Sequence, residues 1–442
     1  MRRALLSALV LFMAFPTSAA ETPSQRAWMR VRKARIQQLL PEAMARANVD
    51  AWVVLCREND NDPLAAHVGC ENAGAPAAFL FLKQKDGVRS IALSPAGEAK
   101  ALQDVGLHDE VVSLDRGVDI FARVAARLAE AKPQRIAVNS SRTLTVADGL
   151  SASQRERLVE ALPPALRGRL TSSEDLVFEW LSVKLPEEVE IMRRAAALTA
   201  SLQEEAYRTV VPGKTRDSDV ARFLKQRMAE LGVKDGWQPE QNPNVNSGPD
   251  RGHSHATERV IQPGDFIQTD FGIQVEGMWV TDIQRFAYVL APGETQPPKE
   301  ALEKWEKSKK GSRVALAALK PGVRGYDVDK AQRDWMREAG SEPVMWGTGH
   351  PVGYWAHDVG PALSGAQMSK PPSGWALKPI RPGQVFAFDG FFAWKLATPG
   401  ETKTLSVEEM AVVTEKGAEY LIPPQEELIL IPSSAPAPQV RD

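Results

Sequence analysis

The chain has 442 residues, of which 43% are hydrophobic, and its 54 basic side chains nearly balance its 56 acidic ones. This length predicts two or three domains. A formal net charge of −2 argues against nucleic acid as a partner, because nucleic-acid-binding surfaces carry an excess of lysine and arginine.

Residues 1–20 have the pattern of a secretory signal peptide. Arg2 and Arg3 form a positive start, residues 4–15 are apolar, and residues 17–20 are small and suit a cleavage site. The apolar run is too short for a stable membrane anchor. Removing the segment changes the formal charge from −2 to −4, because it carries two arginines and no acid. We therefore predict export, in the style of a bacterial periplasmic protein.

Cys56 and Cys70 are the only cysteines of the chain. In an oxidising compartment they could form a disulfide across the 13 residues between them. Two buried thiols are an equally good interpretation of the sequence.

Residues 21–183 predict an α/β domain. A helical pattern over residues 24–47 is followed by short apolar runs that alternate with helical stretches. The predicted strands are Ala51–Cys56, Ala77–Leu82, Ser90–Leu93, Val111–Leu114 and Ile136–Val138, and the predicted helices are Pro95–Leu102, Ile120–Ala131 and Ala152–Leu162. Such alternation predicts a largely enclosed sheet. The region contains neither a glycine-rich phosphate loop nor a nucleophile elbow, so it assigns no function by itself.

A second domain is predicted over residues 184–425. Leu185-Pro186-Glu187-Glu188 has the pattern of a helix start, with proline in the first turn and acids that the helix dipole favours. Predicted helices end near Arg208, Leu231, Leu319 and Ala339, and strands follow each pair of helices. This order indicates a duplicated half-domain. Residues 426–442 are predicted to be a C-terminal tail, disordered from residue 432.

The first candidate ligands, Asp270 and Asp282, lie in two apolar, β-prone runs on either side of a glycine-containing turn. A three-residue loop with Gly277 in the left-handed conformation would place the two aspartates directly opposite each other. Like charges in that arrangement repel, and a multivalent cation between them would remove the repulsion. An alternative is that one aspartate caps a turn and the other pairs with Arg285.

Further candidate ligands follow in the C-terminal half. His350 stands between glycines, Asp389 ends one apolar run and Glu408 begins another. An acid on a buried strand needs a partner, because its desolvation costs several kcal/mol. Four of the six histidines fall in two short clusters, which is not expected of scattered structural residues: His253, His255, His350 and His357.

This ordered set of acids and one histidine resembles the pita-bread metallopeptidases, which include Xaa-Pro aminopeptidases, prolidases and methionine aminopeptidases, with creatinase as a non-metal cousin. The motifs that carry the resemblance are G-D-F-I-Q-T-D-F-G, T-D-I-Q-R, G-T-G-H-P-V-G and V-E-E-M-A-V-V-T. It covers roughly residues 184–425 and implies an α+β pita-bread domain. The preceding α/β region resembles the creatinase-type N-terminal domain of aminopeptidase P-like and prolidase-like members.

The resemblance implies a site for two divalent metal ions. Carboxylates and an imidazole suit manganese, with cobalt, iron or zinc as alternatives. The implied ligands are Asp270, Asp282, His350, Asp389 and Glu408. The implied catalytic residues are His357, near the scissile bond, and one of His253 and His255; the spacing of the motifs leaves the choice between these two open.

The implied activity is hydrolysis of the bond next to proline in Xaa-Pro peptides by a dinuclear metal-activated hydroxide. The implied partner is a proline-containing peptide, and homodimer formation is left open. The sequence departs from the family at three places. Asp389 stands where relatives carry glutamate, and Trp346 stands where aminopeptidase P-like members often carry histidine. The Asp270–Asp282 interval is one residue longer than usual, so a bulge or an altered turn must accommodate the extra residue. Asp389 and Trp346 favour the alternative of a catalytically impaired pita-bread protein that binds a peptide or small molecule. A creatinase-like non-peptide hydrolase is a further alternative, but the carboxylate set retained here argues against it.

Overall fold

The structure, a computed structural model, describes residues 23–59, 61–70, 76–249, 255–367, 374–396 and 398–433. The predicted signal peptide, residues 1–20, lies outside these ranges, as do residues 434–442 of the predicted tail. Among the described helices, none combines the length and the apolar character needed to cross a bilayer.

The N-terminal region pairs one sheet with helices on both faces. Its helices are α1 Pro23–Ala34, α2 Leu40–Arg46, α3 Ala65–Val68, α4 Ala96–Val105, α5 Ile120–Ala131, α6 Ala152–Ala161, α7 Pro164–Arg167 and α8 Glu174–Ser182, with a π-helical stretch Arg35–Leu39 and a 3-10 turn Thr145–Ala147. Its strands are β1 Ala51–Cys56, β2 Ala77–Gln84, β3 Gly87–Pro95, β4 Glu110–Leu114, β5 Ile136–Val138 and β6 Leu170–Ser172. The sheet has the order β4-β3-β2-β1-β5-β6.

Successive side chains along strand β1 of this sheet lie in two separate hydrophobic cores, one on each face. Trp52 and Val54 of β1 pack with α1, α2 and α8, whereas Val53 and Leu55 pack on the opposite face with α5 and α6. Because successive side chains of a strand point to opposite faces, a strand that is apolar throughout must be covered on both sides. The predicted enclosed sheet is confirmed.

Cys56, the last residue of β1, forms a disulfide with Cys70, and their Cα atoms lie 6.5 Å apart. The structure therefore contains the bridge rather than two buried thiols.

The C-terminal region consists of two helix pairs packed on small sheets. Its helices are α9 Pro186–Arg208, α10 Asp217–Leu231, α11 Lys299–Ala318 and α12 Gly325–Ala339, with a 3-10 turn Gly374–Leu377. Its strands are β7 Lys234–Asp235, β8 Asn244–Ser247, β9 Phe266–Phe271, β10 Ile273–Val275, β11 Trp279–Val280, β12 Ile283–Val289, β13 His350–Pro351, β14 Val385–Phe388, β15 Phe392–Lys395, β16 Thr402–Leu405, β17 Glu409–Thr414, β18 Gly417–Tyr420 and β19 Ile429–Ile431.

Each helix pair covers its own sheet. Leu202 of α9 and Leu224 of α10 pack with Ile267 in the sheet β19-β12-β9-β8. Leu319, which follows α11, and Val328 of α12 pack with β14 and β17 in the sheet β13-β14-β17-β18. The repeated layering agrees with the predicted order of helix pairs and strands. The predicted fold class, an α/β region followed by an α+β pita-bread region, is confirmed; the exact domain boundaries stay a prediction.

Candidate metal centre

The hairpin that carries the two aspartates has a different register from the predicted one. Asp270 on β9 pairs with Gln284 on β12, not with Asp282. Asp282 lies in the gap between β11 and β12, two positions from Gln284, so the aspartates are diagonal neighbours on one face. The expectation that they face each other directly is wrong.

The turn of the hairpin explains this shift. Glu276 and Gly277 both adopt the left-handed conformation, with φ of 53° and 68°, and Val275 pairs with Trp279. Gln274–Val280 and Phe271–Ile283 share one register, so no bulge separates them. The extra length of the interval is therefore taken up by the turn and not by a bulge.

The second sheet brings the other predicted ligands to the same place. His350 on β13 pairs with Ala387 of β14, and Asp389 directly follows that strand. Phe388 pairs with Glu409, so continuing this antiparallel register places Asp389 opposite Glu408. The backbone N–H of Gln284 donates to the carbonyl of Glu408 at 3.4 Å, which joins the first sheet to the second at the site.

Three of the five predicted ligands form a tight group. Nε2 of His350 lies 3.9 Å from Oδ2 of Asp282 and 3.9 Å from Oε1 of Glu408, and one ligand atom from each residue lies within 4.8 Å of the other two. Both acids are buried, with 6% and 1% of their surface exposed. Asp270 and Asp389 lie outside this tight group but line the same cavity.

The acids of this site oppose one another's ionisation. Burial raises the pKa of the Asp282 carboxyl well above its ordinary value of 3.8, and the charges of Asp270 and Asp389 raise it further. Burial also raises the pKa of Glu408 well above 4.5, and the charges of Asp282 and Asp270 add to this. A cluster of buried like charges is costly unless a cation compensates it.

The residues present fit a divalent cation. Oε2 of Glu408 is buried and has no hydrogen-bond partner among the described residues. Nδ1 of His350 lies 3.2 Å from the Pro351 carbonyl, which can only accept, so this nitrogen carries the proton. A neutral ring of this tautomer would present the lone pair of Nε2 to a metal ion held between the two carboxylates, as metal-binding histidines do. Carboxylate oxygens with one imidazole are the donor set of manganese-, iron- or zinc-type sites.

Gln284 supports Asp270 and was not anticipated from the sequence. Its Nε2 donates to Oδ2 of Asp270 at 3.2 Å, while its Oε1 accepts from Gln268 at 2.6 Å and from the Ser406 hydroxyl. The correct register would have revealed it, because the residue opposite a ligand on a buried face is the nearest candidate partner.

The alternative in which an aspartate pairs with Arg285 does not hold. Nη1 of Arg285 lies 3.2 Å from Oε2 of Glu409, and both side chains are buried. Glu408 and Glu409 thus face different partners: the first faces the acid cluster and the second neutralises an arginine.

The acid cluster opens into a cavity of about 800 Å³ between the two regions of the chain. His357 lies in its wall with its ring centroid 4.2 Å from that of His350, and His255 lies in the wall as well. His253 is outside the described residues, so the choice between His253 and His255 stays open. Cavity-wall residues without a recognised motif were missed: Thr145, Val146, Trp237, Gln238, Gln241, Asn244 and Trp355.

The two unusual residues of the site have distinct surroundings. Trp346 packs against Phe391 with its ring tilted by 37° and the ring centroids 4.6 Å apart. Asp389 is half-buried, and the backbone after it is pressed against α12: a Cβ on Gly390 would lie 1.7 Å from Oε1 of Gln332. A side chain at position 390 would therefore displace the Gln332 amide, and glycine lets the strand end pack closely against it.

Known proteins share this architecture. Probable dipeptidase PepE of Mycobacterium tuberculosis is 28% identical over 255 residues, which span 57% of this chain and 61% of that relative. The solved Xaa-Pro dipeptidase from Bacillus anthracis superposes with a TM-score of 0.65 at 21% identity, covering 91% of this chain and 100% of that one. The X-Pro aminopeptidase from Thermotoga maritima gives a TM-score of 0.64 at 21% identity, covering 88% and 100%. The two superpositions establish the fold.

Residues 190–415, about half of the chain, match metallopeptidase family M24. The chain belongs to this family, and the predicted resemblance to the pita-bread metallopeptidases is confirmed.

Proposed function

We propose that the protein is an exported metal-dependent peptidase that hydrolyses the bond next to proline in Xaa-Pro peptides. The observation that carries this proposal is a Glu408 oxygen with no hydrogen-bond partner among the described residues, in a buried acid cluster that opens into a large cavity. Relatives named as dipeptidases and an X-Pro aminopeptidase support the substrate class. The proposed ligands of two divalent ions are Asp270, Asp282, His350, Asp389 and Glu408.

Divalent ions held by these ligands would activate a water molecule and polarise the scissile carbonyl. The chain contributes the rest. Gln284 orients Asp270, and the Pro351 carbonyl holds the tautomer of His350. His357, exposed in the cavity, donates a hydrogen bond to the carbonyl oxygen as negative charge develops on it. Asp389, at the cavity wall, would take the proton that the attacking water releases and pass it to the departing nitrogen.

An activity screen tests the substrate class. Purified protein with added Mn²⁺, Co²⁺ or Zn²⁺ is expected to hydrolyse Ala-Pro and longer Xaa-Pro peptides, with Pro-Ala as the control of reversed sequence. Absence of hydrolysis with all three ions, or equal hydrolysis of both orders, would contradict the proposal.

His357→Ala is expected to lower turnover by on the order of 100-fold, the typical effect of removing a donor to a developing oxyanion. Metal content should not change, because the role proposed for His357 is to contact substrate. Turnover and bound metal are measured on the same preparation. Loss of metal in this variant would make His357 a ligand and our assignment of its role wrong.

Asp389→Glu is expected to lower turnover by roughly tenfold, although it restores the residue that relatives carry. The strand end is held against Gln332, so the longer side chain crowds the site, and active-site groups tolerate only about 0.5 Å of displacement. Asp334→Glu, on the exposed face of α12, is the matched control. A gain in turnover or metal affinity for Asp389→Glu would favour instead the catalytically impaired binding protein, which the unusual residue at this position otherwise suggests.

A further inference from the structure

The carboxylate of Glu188, in the first turn of α9, is completely buried and fully hydrogen-bonded. Its Oε1 accepts from Nε1 of Trp279 at 3.2 Å and from the Tyr354 hydroxyl. Its Oε2 accepts from Nη1 of Arg35 at 2.7 Å and from the backbone N–H of Leu185 at 2.9 Å. Since a carboxylate offers about four acceptor sites, these donors use all of them.

Three of these four donors come from segments that are distant in the sequence. Arg35 belongs to the N-terminal region, in the π-helical stretch between α1 and α2. Trp279 lies on β11, three residues before Asp282, and Tyr354 lies three residues before His357. One carboxylate therefore joins the N-terminal region, the hairpin of one proposed ligand and the loop of the proposed substrate-binding histidine.

The loop that carries His357 has no regular secondary structure and is held by both backbone and side-chain hydrogen bonds. Its Gly353 carbonyl accepts from the backbone of Val280 at 2.7 Å, and the Tyr354 backbone donates to Asp358 at 2.9 Å. Asp358 in turn pairs with Lys184 at 3.0 Å, and both side chains are buried. A Cβ on Gly353 would lie 2.3 Å from both Asp358 and Lys184, so the loop folds tightly around this second ion pair.

A buried ion-pair cluster needs a reason other than stability. Well-packed apolar residues of similar volume often stabilise a protein as well as a buried ion pair does, whereas polar groups with full hydrogen bonding can select one conformation. Burial alone would raise the pKa of Glu188, but Arg35, Lys184 and the hydrogen bonds from Tyr354 and Leu185 lower it below its ordinary value. The carboxylate is therefore charged, and a charged acceptor strengthens each hydrogen bond that defines the loop.

We propose that Glu188 is a positioning residue of the active site, which acts through Tyr354 on His357 and through Trp279 on the hairpin of Asp282. It anchors both to the N-terminal region at Arg35, so that this region contributes to the geometry of the reaction. The inference rests on the role assigned to His357 in the proposed function.

Tyr354→Phe is the test variant, because it removes one hydroxyl from Glu188 and keeps the ring that packs 4.7 Å from His67. Tyr420→Phe is the matched control: the Tyr420 hydroxyl accepts from Arg313 at 2.7 Å and makes no contact with Glu188. We expect Tyr354→Phe to lower kcat by roughly tenfold with KM and metal content unchanged. The reason is that a displacement of a catalytic group by about 1 Å can lower the reaction rate by as much as 100-fold. Tyr420→Phe should leave kcat unchanged.

A double-mutant cycle separates positioning from a general loss of stability. In a His357→Ala background, Tyr354→Phe should have less than about a twofold effect on kcat, because the residue through which it acts is gone. If the double variant instead shows the product of the kcat losses of the two single variants, the proposal is overturned.

A second readout does not depend on activity. It is the 15N NMR spectrum of zinc-loaded protein that carries 15N-labelled histidine. Because the chain has only six imidazoles, the His357 signal can be assigned by its loss in His357→Ala. Tyr354→Phe should shift the His357 signal and leave that of buried His108 in place, while Tyr420→Phe should move neither. An unmoved His357 signal in Tyr354→Phe would overturn the positioning role. If wild type cleaves no Xaa-Pro peptide but the His357 signal moves, the proposed function fails and the positioning role stands.

Discussion

Asp282→Asn is expected to abolish metal retention and peptidase activity while the fold stays intact. Asp282 lies at the centre of the cluster, 3.9 Å from His350 and in the field of Asp270 and Asp389. Removing its charge should weaken metal binding by more than about 100-fold. Loss of a residue that only hydrogen-bonds to a metal ligand weakens binding by up to about 100-fold, and loss of a ligand itself should have a larger effect. The same change relieves repulsion between buried acids, so the metal-free variant should melt at a higher temperature than metal-free wild type.

Calorimetric titration and thermal unfolding, each with and without metal, measure both effects. Asp265→Asn is the control, because Asp265 is also a buried acid but pairs with Arg259. It should retain metal and lose stability. An Asp282→Asn protein that still binds two equivalents of metal would refute the ligand assignment.

Arg35→Met is expected to destabilise the protein by about 3–5 kcal/mol, the range found when one partner of a buried ion pair is removed. The variant keeps most of the side-chain volume but leaves the Glu188 carboxylate buried without its arginine. It also removes the donor to the Val183 carbonyl at 2.8 Å. Urea-induced unfolding monitored by tryptophan fluorescence measures the loss, since Trp180 and Trp279 lie next to this cluster.

Arg30→Met is the matched control for this prediction. Arg30 pairs with Glu187, the residue adjacent to Glu188, but these side chains are 62% and 40% exposed. An exposed pair of this kind contributes about 0–1 kcal/mol. Equal losses in the two variants would show that burial of the Arg35–Glu188 pair has no special energetic importance.

Much of the fold follows from local patterns in the chain. Helix α5 and strands β1 and β5 have the predicted bounds, because apolar periodicity and turn residues mark their ends. The long amphipathic helix α9 begins at Pro186, as its first-turn acids and proline predicted, and ends at Arg208, as its amphipathic run predicted.

The register of the hairpin could not be predicted in the same way. The prediction assumed one left-handed residue, Gly277, whereas Glu276 adopts the same conformation. Residues other than glycine rarely do so, and nothing in the local sequence indicates it. The error moved the partner of Asp270 from Gln284 to Asp282 and concealed the glutamine that supports a proposed ligand.

The burial of Glu188 also depends on tertiary structure. Glu187 and Glu188 are both plausible first-turn acids of a helix, and the sequence does not distinguish them. Only the folded chain places Arg35, Trp279 and Tyr354 around the second of these acids.

Manganese titration of the metal-stripped protein, followed in parallel by Ala-Pro hydrolysis, tests the central claim most directly. The proposed centre predicts two bound ions per chain, no hydrolysis without metal, and activity that rises as the sites fill. Hydrolysis that persists in the fully stripped protein, or a protein that binds no manganese, cobalt or zinc, would contradict the account.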